Sequence, residues 1–380
     1  VERFADPALP ARARSFVGLF SPSRQTYARE ASAVAREAPL LRPISLQGPW
    51  DATLGGGSGV LLQPETGGAA IRDFAVAQWS MRALMADTLV DAADLQARLT
   101  LDGATLSGVV ENAGDQHLVD VVLVQGDLVA RLGDLAPGAR REVTLADVDA
   151  QKASATPGAA LSQLIYGDMI EAAIRPGGAP LAADVQLRIR MLDAIFAYGP
   201  LPRGGHPLLI AWSATPTLDI VPVGLRAERQ HLALLVSEPQ IVPSPGLIEL
   251  NQGWLHKRFT KAQAGLCYGA LGVGVGLGPA PVLLQMTLPR DLYGFVPSEL
   301  ALLAETDGPW IADMQVALYN WEQATWETVA VGGRGAPVGL EAPQRFVGSH
   351  GRLWARVVST ADDPSFGCVY LDATMKGTLP

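Results

Sequence analysis

The sequence predicts a mainly β protein made of tandem β-sandwich domains, one immunoglobulin-like and one jelly-roll-like, with an inserted helical pair. Three observations favour this fold class. The 40 glycines and 28 prolines among 380 residues would interrupt the helices of a bundle too often. Short runs that alternate between apolar and polar residues recur between turn residues, and a helical period is confined to one region. With 48% hydrophobic residues, the chain can bury the cores of two or three domains.

The first predicted unit, residues 1–92, is a β-rich segment punctuated by Gly and Pro. Pro43 cannot donate a hydrogen bond to a neighbouring strand, so we expect its strand at the edge of a sheet. Residues 79–89 fit either an extended edge or a short helix, and periodicity does not choose between them. The strand candidates of this unit are residues 15–20, 40–46, 58–63 and 70–77.

The second predicted unit, residues 93–240, begins with the clearest β pattern of the chain. Leu95, Leu99 and Leu101 alternate with polar residues before a turn at Asp102-Gly103. Strands that recur at intervals of about 8–12 residues are typical of an immunoglobulin-like sandwich, although the Cys…Trp…Cys signature of antibody domains is missing. The candidates are residues 95–101, 106–110, 118–124, 128–132, 143–145, 208–212, 218–223 and 232–236.

A helical pair interrupts this unit at about residues 158–199. Leu161, Leu164 and Ile165 begin an apolar helical face, which Pro176-Gly177-Gly178 ends. Asp184 is the predicted N-cap of the second helix, which closes at Gly199-Pro200. The pair could be an inserted lid or a plug over an open end of the sandwich.

The third predicted unit, residues 241–380, follows a proline-rich domain boundary at residues 237–245. About eight strand candidates fit a jelly-roll-like double sheet. They are residues 247–250, 266–277, 282–288, 299–304, 313–320, 325–331, 353–358 and 368–375.

Residues 262–289 contain no charged residue and must be distinguished from a membrane span. Their many glycines, together with Pro279 and Pro281, are unsuitable for a lone helix in lipid. From Leu271 to Gly278 apolar residues alternate with glycine, so we predict a strand with one apolar face and one face of bare backbone.

The two cysteines, Cys267 and Cys368, lie far apart in sequence but in strand candidates of one unit. A disulfide between them would close a long loop and stabilise the fold by about 4–5 kcal/mol in the chain-entropy model. Two buried free thiols are the alternative, because nothing in the sequence brings the cysteines within bonding distance.

Charge and motifs exclude several functional classes. A net charge of −9 offers no basic face, so no nucleic-acid partner is expected. The five histidines occur singly, the glycine-rich runs lack the lysine of a phosphate-binding loop, and no Gly-x-Ser-x-Gly elbow occurs. We therefore expect no nucleotide, no cofactor and no catalytic residue, which points away from an enzyme.

Two groups of residues remain as candidate sites. Glu305, Asp307 and Asp313 flank a predicted loop at residues 308–310, where carboxylates could hold Ca²⁺ or simply form a solvated turn. Glu305 and Asp313 could also form the carboxylate pair of a hydrolase.

The second group is aromatic. Tyr319 and Trp321 share one face of a predicted strand, opposite Asn320, and this parity favours a core face over a ligand platform. Val316 and Leu318 on the other face leave both faces partly apolar. The candidate ligand-binding residues are Trp310, Tyr319, Trp321, Trp326 and Trp354.

Four stretches, residues 17–27, 76–82, 209–212 and 318–321, resemble segments of large bacterial multi-span membrane proteins of unknown function. Residues 17–27 look like the segment that follows the last membrane span in that group. Residues 76–82 and 209–212 are similar to later landmarks, and residues 318–321 with Trp326 resemble the terminal β domain. The resemblance implies an extracytoplasmic region, in the periplasm or at the cell surface, tethered by a membrane segment outside this chain. It supplies no catalytic motif.

The leading functional hypothesis is therefore a non-enzymatic extracytoplasmic structural or interaction module of a membrane-anchored bacterial protein. Its expected partner is another protein of the membrane or cell envelope. The alternative is a carbohydrate-binding module that uses the clustered tryptophans on a glycan. A hydrolase built on paired carboxylates is a third and weaker hypothesis, since a sandwich fold is compatible with all three.

Overall fold

The computed structural model describes sixteen stretches of the chain, and every structural statement below concerns them. They are residues 2–3, 10–33, 40–44, 61–65, 68–90, 95–146, 161–197, 205–216, 218–222, 230–260, 266–269, 272–276, 280–307, 314–330, 336–359 and 368–379.

The described chain is mainly β, as predicted. Strands β1 to β12 are Glu2–Arg3, Ala11–Ser21, Gln25–Ala33, Leu40–Ile44, Leu61–Glu65, Gly68–Val76, Ser80–Val90, Leu95–Gly103, Thr105–Asn112, Leu118–Gln125, Leu128–Leu135 and Arg140–Leu145. Helices α1 and α2 are Leu161–Ile174 and Ala183–Leu192, and a π-helical turn, Asp193–Ala197, follows. Strands β13 to β20 are Leu208–Ser213, Leu218–Pro222, Ala233–Ser237, Gln240–Leu250, His256–Thr260, Leu266–Gly269, Gly272–Gly276 and Val282–Thr287. Strands β21 to β27 are Val296–Asp307, Met314–Asn320, Thr325–Val329, Val338–Gly339, Val347–Gly348, Arg352–Ser359 and Cys368–Thr378. Short 3₁₀ turns cover Gln252–Trp254, Arg290–Leu292 and Pro343–Phe346.

Four sheets organise these strands. An eight-stranded sheet has the order β11-β10-β13-β15-β1-β2-β7-β4, and a four-stranded sheet has the order β14-β3-β6-β5. A nine-stranded sheet has the order β12-β9-β8-β16-β27-β19-β18, with β21 paired to β27 and β24. A six-stranded sheet has the order β17-β20-β26-β22-β23, with β25 paired to β26. Sheets packed face to face through apolar residues are β-sandwiches, which confirms the fold class.

The N-terminal segment confirms one prediction and resolves another. Strand β4, which contains Pro43, ends the eight-stranded sheet, as expected for a residue without a backbone N–H. The undecided segment is strand β7, paired with β2 over its whole length. Strands β3 and β17 were not predicted, because their polar residues hide the period-two pattern.

The proline-rich segment at the expected boundary forms strand β16. It pairs in parallel with β8 from Gln240 to Pro243 and again at Ile248, and in antiparallel with β27 from Leu247 to Leu250. The register with β8 shifts between Pro243 and Ile248, so Pro243 lies at the end of the regular pairing with that strand. One continuous core cluster consequently includes residues from both predicted units. The domain division itself stays a prediction.

The helical pair covers a sheet face and not an open end of the sandwich, which corrects the expected placement. Leu161, Ile165 and Leu192 pack with Val122 and Trp212 of the eight-stranded sheet. The other face of the same strands contributes residues such as Leu123 and Leu209 to the main core. This part of the molecule therefore has three layers.

An ion pair and a hydrogen bond join the two helices to strand β10 of the eight-stranded sheet. Asp184 does not cap α2, because the N-cap position is Ala182 and Asp184 instead pairs with Arg188 at 3.0 Å. Arg188 also pairs with Asp120, which accepts a hydrogen bond from the Tyr166 hydroxyl at 3.1 Å. Burial, helped by the Asp120 charge, raises the pKa of Tyr166 to about 12, so Tyr166 stays a neutral donor.

A histidine–carboxylate contact joins the two predicted sandwich units. The Nε2 of His206 lies 3.6 Å from Oδ2 of Asp291, which also accepts the backbone N–H of Ile241 at 3.0 Å. Burial opposes the charged form of His206, but Asp291, the Pro207 carbonyl and the Glu238 charge outweigh it and raise its pKa. The nearby His206 ring in turn lowers the pKa of Asp291.

The stretch in which glycines alternate with apolar residues forms strand β19, as predicted. The single strand predicted over residues 266–277 is instead a pair of antiparallel strands, β18 and β19. Gly274 of β19 lies against the ring of Tyr370, where an added Cβ would come within 2.7 Å of a ring carbon. At Gly274 the bare backbone of this strand is therefore covered by an aromatic ring of β27. Among the described helices, neither has the length and apolar character needed to cross a bilayer.

Candidate functional site

Strand β22 shows which face of the six-stranded sheet meets the core. Val316, Leu318 and Asn320 are all buried, and the first two belong to the main core cluster. Because successive residues of a strand point to opposite faces, Tyr319 lies on the face away from the core, here called the outward face. The expectation that Tyr319 and Trp321 occupy the core face is wrong, because Val316 and Leu318 meet the opposing sheet instead.

Four aromatic rings meet on this outward face and form what we call the aromatic cluster. The ring centroid of Tyr319 is 5.0 Å from that of Trp321, 5.3 Å from that of Trp326 and 5.6 Å from that of Trp354. Trp321 and Trp354 are themselves 5.0 Å apart. The structure therefore brings together four of the five predicted aromatic residues, while Trp310 lies outside the described residues.

Three of the four ring pairs in the cluster pack edge to face, and the pair Tyr319–Trp354 is tilted. Tyr319 makes interplanar angles of 78° with Trp321, 70° with Trp326 and 46° with Trp354. This geometry is favourable between aromatic quadrupoles. It differs from a coplanar row of rings on which a flat sugar surface could stack. The four residues are half-buried, partly by one another.

Asn320 holds the turn between β22 and β23. Its Oδ1 accepts hydrogen bonds from the backbone N–H groups of Glu322 at 2.9 Å and Gln323 at 3.0 Å. Its Nδ2 donates to a carboxylate oxygen of Glu327 at 2.5 Å. A buried asparagine with three partners fixes the turn from which Trp321 reaches the cluster.

The backbone around Trp321 completes the positioning of its ring. Its N–H donates to the carbonyl of Arg345 at 2.8 Å. Gly348 of β25 lies directly against the indole, where an added Cβ would approach a ring carbon to 2.6 Å. A side chain at position 348 would therefore displace Trp321 from the cluster.

One arginine side chain borders the rings. The guanidinium carbon of Arg356 lies 5.2 Å from the ring centroid of Trp326, within the range of a cation–π interaction. Arg345 instead lies on the core side, where it stacks on Phe346 and forms an ion pair with Glu327 at 3.1 Å. The outward face thus combines Trp, Tyr and Arg, the residue types enriched at protein interfaces.

Some donors of the cluster have no partner within the described part of the chain. They are the indole N–H groups of Trp321 and Trp354 and the Nε–H of Arg356, all of them buried. A buried donor without a partner costs about 1–3 kcal/mol. The cluster therefore keeps hydrogen-bonding capacity that the described chain does not use.

The predicted carboxylate site is only partly described. Glu305 and Asp307 belong to strand β21, which extends beyond its predicted end, so they do not sit on a loop. Asp313 lies outside the described residues. Within the stretches that the structure covers, no group of three or more His, Cys, Asp or Glu side chains could hold a metal ion. The Ca²⁺ site stays a prediction.

An ion pair that the sequence did not signal lies near Glu305. Lys257 of β17 contacts Asp372 of β27 at 2.5 Å, and both side chains are mostly buried. Burial raises the pKa of Asp372, and the charges of Asp127 and Glu305 add to the rise, whereas Lys257 opposes it. The pair joins an edge strand of the six-stranded sheet to the nine-stranded sheet, which is a structural role.

Cys368 at the start of β27 is disulfide-bonded. The chain contains one other cysteine, Cys267 of β18, and no free cysteine occurs among the described residues. The alternative of a free buried thiol therefore does not apply to Cys368.

Comparison with known protein families gives two matches. Residues 94–242 match a domain of unknown function (DUF8725), and residues 249–377 match a second domain of unknown function (DUF8815). No protein among curated sequences matches the chain.

Three solved structures illustrate the structural similarities. The atomic structure of Sulfolobus Turreted Icosahedral Virus is 8% identical, with 98% of this chain and 85% of that chain covered and a TM-score of 0.20. A structure described by the triple jelly roll fold and turret assembly in an archaeal virus is 8% identical, with coverages of 98% and 84% and a TM-score of 0.21. The M60 catalytic domain with CBM51-1 and CBM51-2 domains from Clostridium perfringens ZmpB is 7% identical, with coverages of 97% and 34% and a TM-score of 0.20. Similarities at these TM-scores carry no argument about function.

Proposed function

We propose that the chain is a non-enzymatic interaction module of a membrane-anchored bacterial protein, acting on the extracytoplasmic side of the membrane. The observation that carries the proposal is the aromatic cluster beside Arg356 on the outward face of the six-stranded sheet. The fold does not need these side chains there, because the core is built from the opposite face. Clustered Trp, Tyr and Arg side chains supply most of the binding energy in many protein interfaces.

The unpartnered donors support the same role. A partner that contacts this face could accept hydrogen bonds from Arg356, Trp321 or Trp354 after small side-chain movements. Such a partner would be another protein of the membrane or cell envelope. The disulfide at Cys368 supports an oxidising compartment, where structural disulfides persist. The resemblance to membrane proteins supports the tether.

The alternative is a carbohydrate-binding module. The observation that favours it is the half-buried ring of Trp326 with an arginine over it, because one indole face can stack on one sugar ring. The edge-to-face packing of the other rings speaks against an extended glycan platform. We therefore place a protein partner first.

The test is a capture experiment on the full-length tethered protein in its own membrane, with cross-linking before extraction. The variants are Trp326→Ala and Arg356→Gln, and the matched control is Tyr293→Ala, which removes an aromatic ring that is 40% exposed. We expect a partner protein whose recovery with the two cluster variants falls roughly tenfold, as for an interface hot spot. Recovery with Tyr293→Ala should equal that of the unchanged protein.

Equal recovery of every captured protein with all four forms would refute the aromatic cluster as the partner surface. Binding to an immobilised glycan that Trp326→Ala abolishes, without any protein lost from the capture, would establish the alternative.

A further inference from the structure

A second surface, at the opposite end of the sequence, exposes large apolar side chains. Phe16 and Phe20 of β2, Leu40 of β4, Met81 of β7 and Trp79 in the turn before β7 are each more than half exposed, with Trp79 at 69%. Antiparallel register places Phe20 opposite Met81 and puts Phe16, Leu40 and Met81 on the same side of the sheet. We call these five residues the apolar ribbon face.

The fold does not require apolar residues on this face. The opposite face of the same strands builds the local core, where Val17 and Leu19 of β2 pack with Leu84, Phe74 and Val76. Outward positions of a half-buried strand are normally polar. A contiguous group of exposed large apolar side chains is uncommon on a monomer and marks a contact surface.

The local backbone presents Trp79 to solvent. Trp79 has φ of 53°, a left-handed conformation that is costly for a residue with a Cβ. The turn is held by the N–H and the hydroxyl of Ser80, which donate to the Ala77 carbonyl at 3.2 Å and 2.7 Å. The indole meets Phe20 at a centroid distance of 6.1 Å. The chain thus accepts backbone strain and still leaves the ring exposed.

Charge around this end of the ribbon has the sign opposite to that of the whole chain. Residues 16–27 and 74–85 contain no Asp or Glu, whereas the chain carries a net charge of −9. Of their two arginines, Arg82 lies on the opposite face, over the ring of Phe74, so Arg24 supplies the positive charge here. Arg24 is exposed next to the turn. An acidic protein is repelled by an anionic surface except where it presents a local excess of positive charge.

From this combination we propose that the apolar ribbon face docks onto a lipid bilayer that contains anionic headgroups. Phe20, Trp79 and Met81 enter the interfacial layer, where Trp and Phe side chains are favourable, and Arg24 contacts lipid phosphate. The surface is separate from the aromatic cluster, so this proposal and the proposed function can fail independently.

The test uses the 380-residue chain and vesicles separated by flotation. One set contains phosphatidylcholine alone, and the other contains phosphatidylcholine with phosphatidylglycerol. We expect the chain to float with the phosphatidylglycerol vesicles and to be released by salt. Trp79→Gly should lower the bound fraction roughly tenfold, since it removes the most exposed ring of the face. Arg24→Glu should lower it by more than about fivefold.

Two features keep this test decisive. Glycine is favoured at the φ of Trp79, so Trp79→Gly retains the turn, and lost binding then reports the side chain. Leu247→Ser, which changes an apolar residue that is 53% exposed elsewhere, should bind like the unchanged chain.

Two results would overturn the proposal. One is failure of the chain to float with either vesicle type or equal binding by Trp79→Gly. The other is a concentration-dependent dimer in sedimentation that Trp79→Gly abolishes, because it would assign the face to a second copy of the chain.

Discussion

Replacing Asn320 by alanine removes three hydrogen bonds from a fully buried position at the end of β22. A neutral hydrogen bond contributes about 1 kcal/mol net, and the bond to the Glu327 carboxylate contributes somewhat more. The side chains of Glu322 and Gln323 are exposed, so water can reach part of the turn and replace some of the loss. We therefore expect Asn320→Ala to lower the free energy of unfolding by about 2–3 kcal/mol.

The loss of stability should be detectable in the turn itself as well as in the unfolding of the whole chain. Hydrogen exchange read by mass spectrometry on a peptide spanning residues 316–330 should show faster exchange at the amides of Glu322 and Gln323, because their acceptor is gone. Urea unfolding followed by tryptophan fluorescence gives the global value. Gln315→Ala, on the exposed face of the same strand, is the matched control and should change stability by less than about 0.5 kcal/mol.

A variant Asn320→Ala that unfolds at the same urea concentration as Gln315→Ala, with unchanged amide exchange, would refute the reasoning. It would mean that the turn and the position of Trp321 do not depend on Asn320.

Three further predictions concern other parts of the structure. Ala324→Gly should raise the free energy of unfolding by about 0.5–1 kcal/mol, because Ala324 has φ of 56°; a loss of stability in urea would contradict this. The contact between His206 and Asp291 should stabilise the fold most between pH values of about 4 and 6.5, since the pKa of Asp291 is lowered and that of His206 is raised. This contribution should disappear as the pH rises through the raised pKa of His206. The melting temperatures of His206→Gln and the unchanged chain should therefore differ at pH 6 and converge toward pH 9. A difference in melting temperature that does not change with pH would contradict this prediction. Thiol titration of the unfolded, unreduced chain should find no free thiol, and a free thiol would contradict the disulfide. Cys368→Ser should lower the free energy of unfolding by roughly 4–5 kcal/mol in the chain-entropy model.

The local sequence pattern was sufficient to predict strands in which one face is clearly apolar and the other is polar or bare. The alternation from Leu95 to Leu101 and its Asp102-Gly103 turn predict β8 and its antiparallel pairing with β9, which the register confirms. The alternating glycines predict β19, because they leave one face of a strand without side chains. Pro43 predicts an edge strand, because proline has no backbone N–H to donate to a neighbouring strand.

Where both faces of a strand are apolar, sequence cannot tell which face meets the core. In β22 the large rings of Tyr319 and Trp321 suggest a core face, yet the smaller Val316 and Leu318 are the buried residues. The opposing sheet decides this, and its position depends on long-range packing. The structure therefore brings four of the five predicted aromatic residues together, and the face on which they lie differs from the expected one.

Long-range pairing also explains the other departures. Strand β16 tolerates Pro243 because the regular pairing with β8 is interrupted just beyond that residue, which only the sheet topology reveals. Lys257 and Asp372 lie more than a hundred positions apart, so local sequence spacing could not predict their ion pair.

The central proposal is that the chain belongs to a membrane-anchored protein whose outward aromatic cluster binds a partner in the cell envelope. The most direct measurement is covalent footprinting of Trp326 and Tyr319 in the full-length protein, compared between its own membrane and the purified, detergent-extracted state. The account predicts that labelling of these two rings falls in the membrane, while labelling of Tyr293 stays unchanged. Equal labelling of Trp326 and Tyr319 in both states would contradict it.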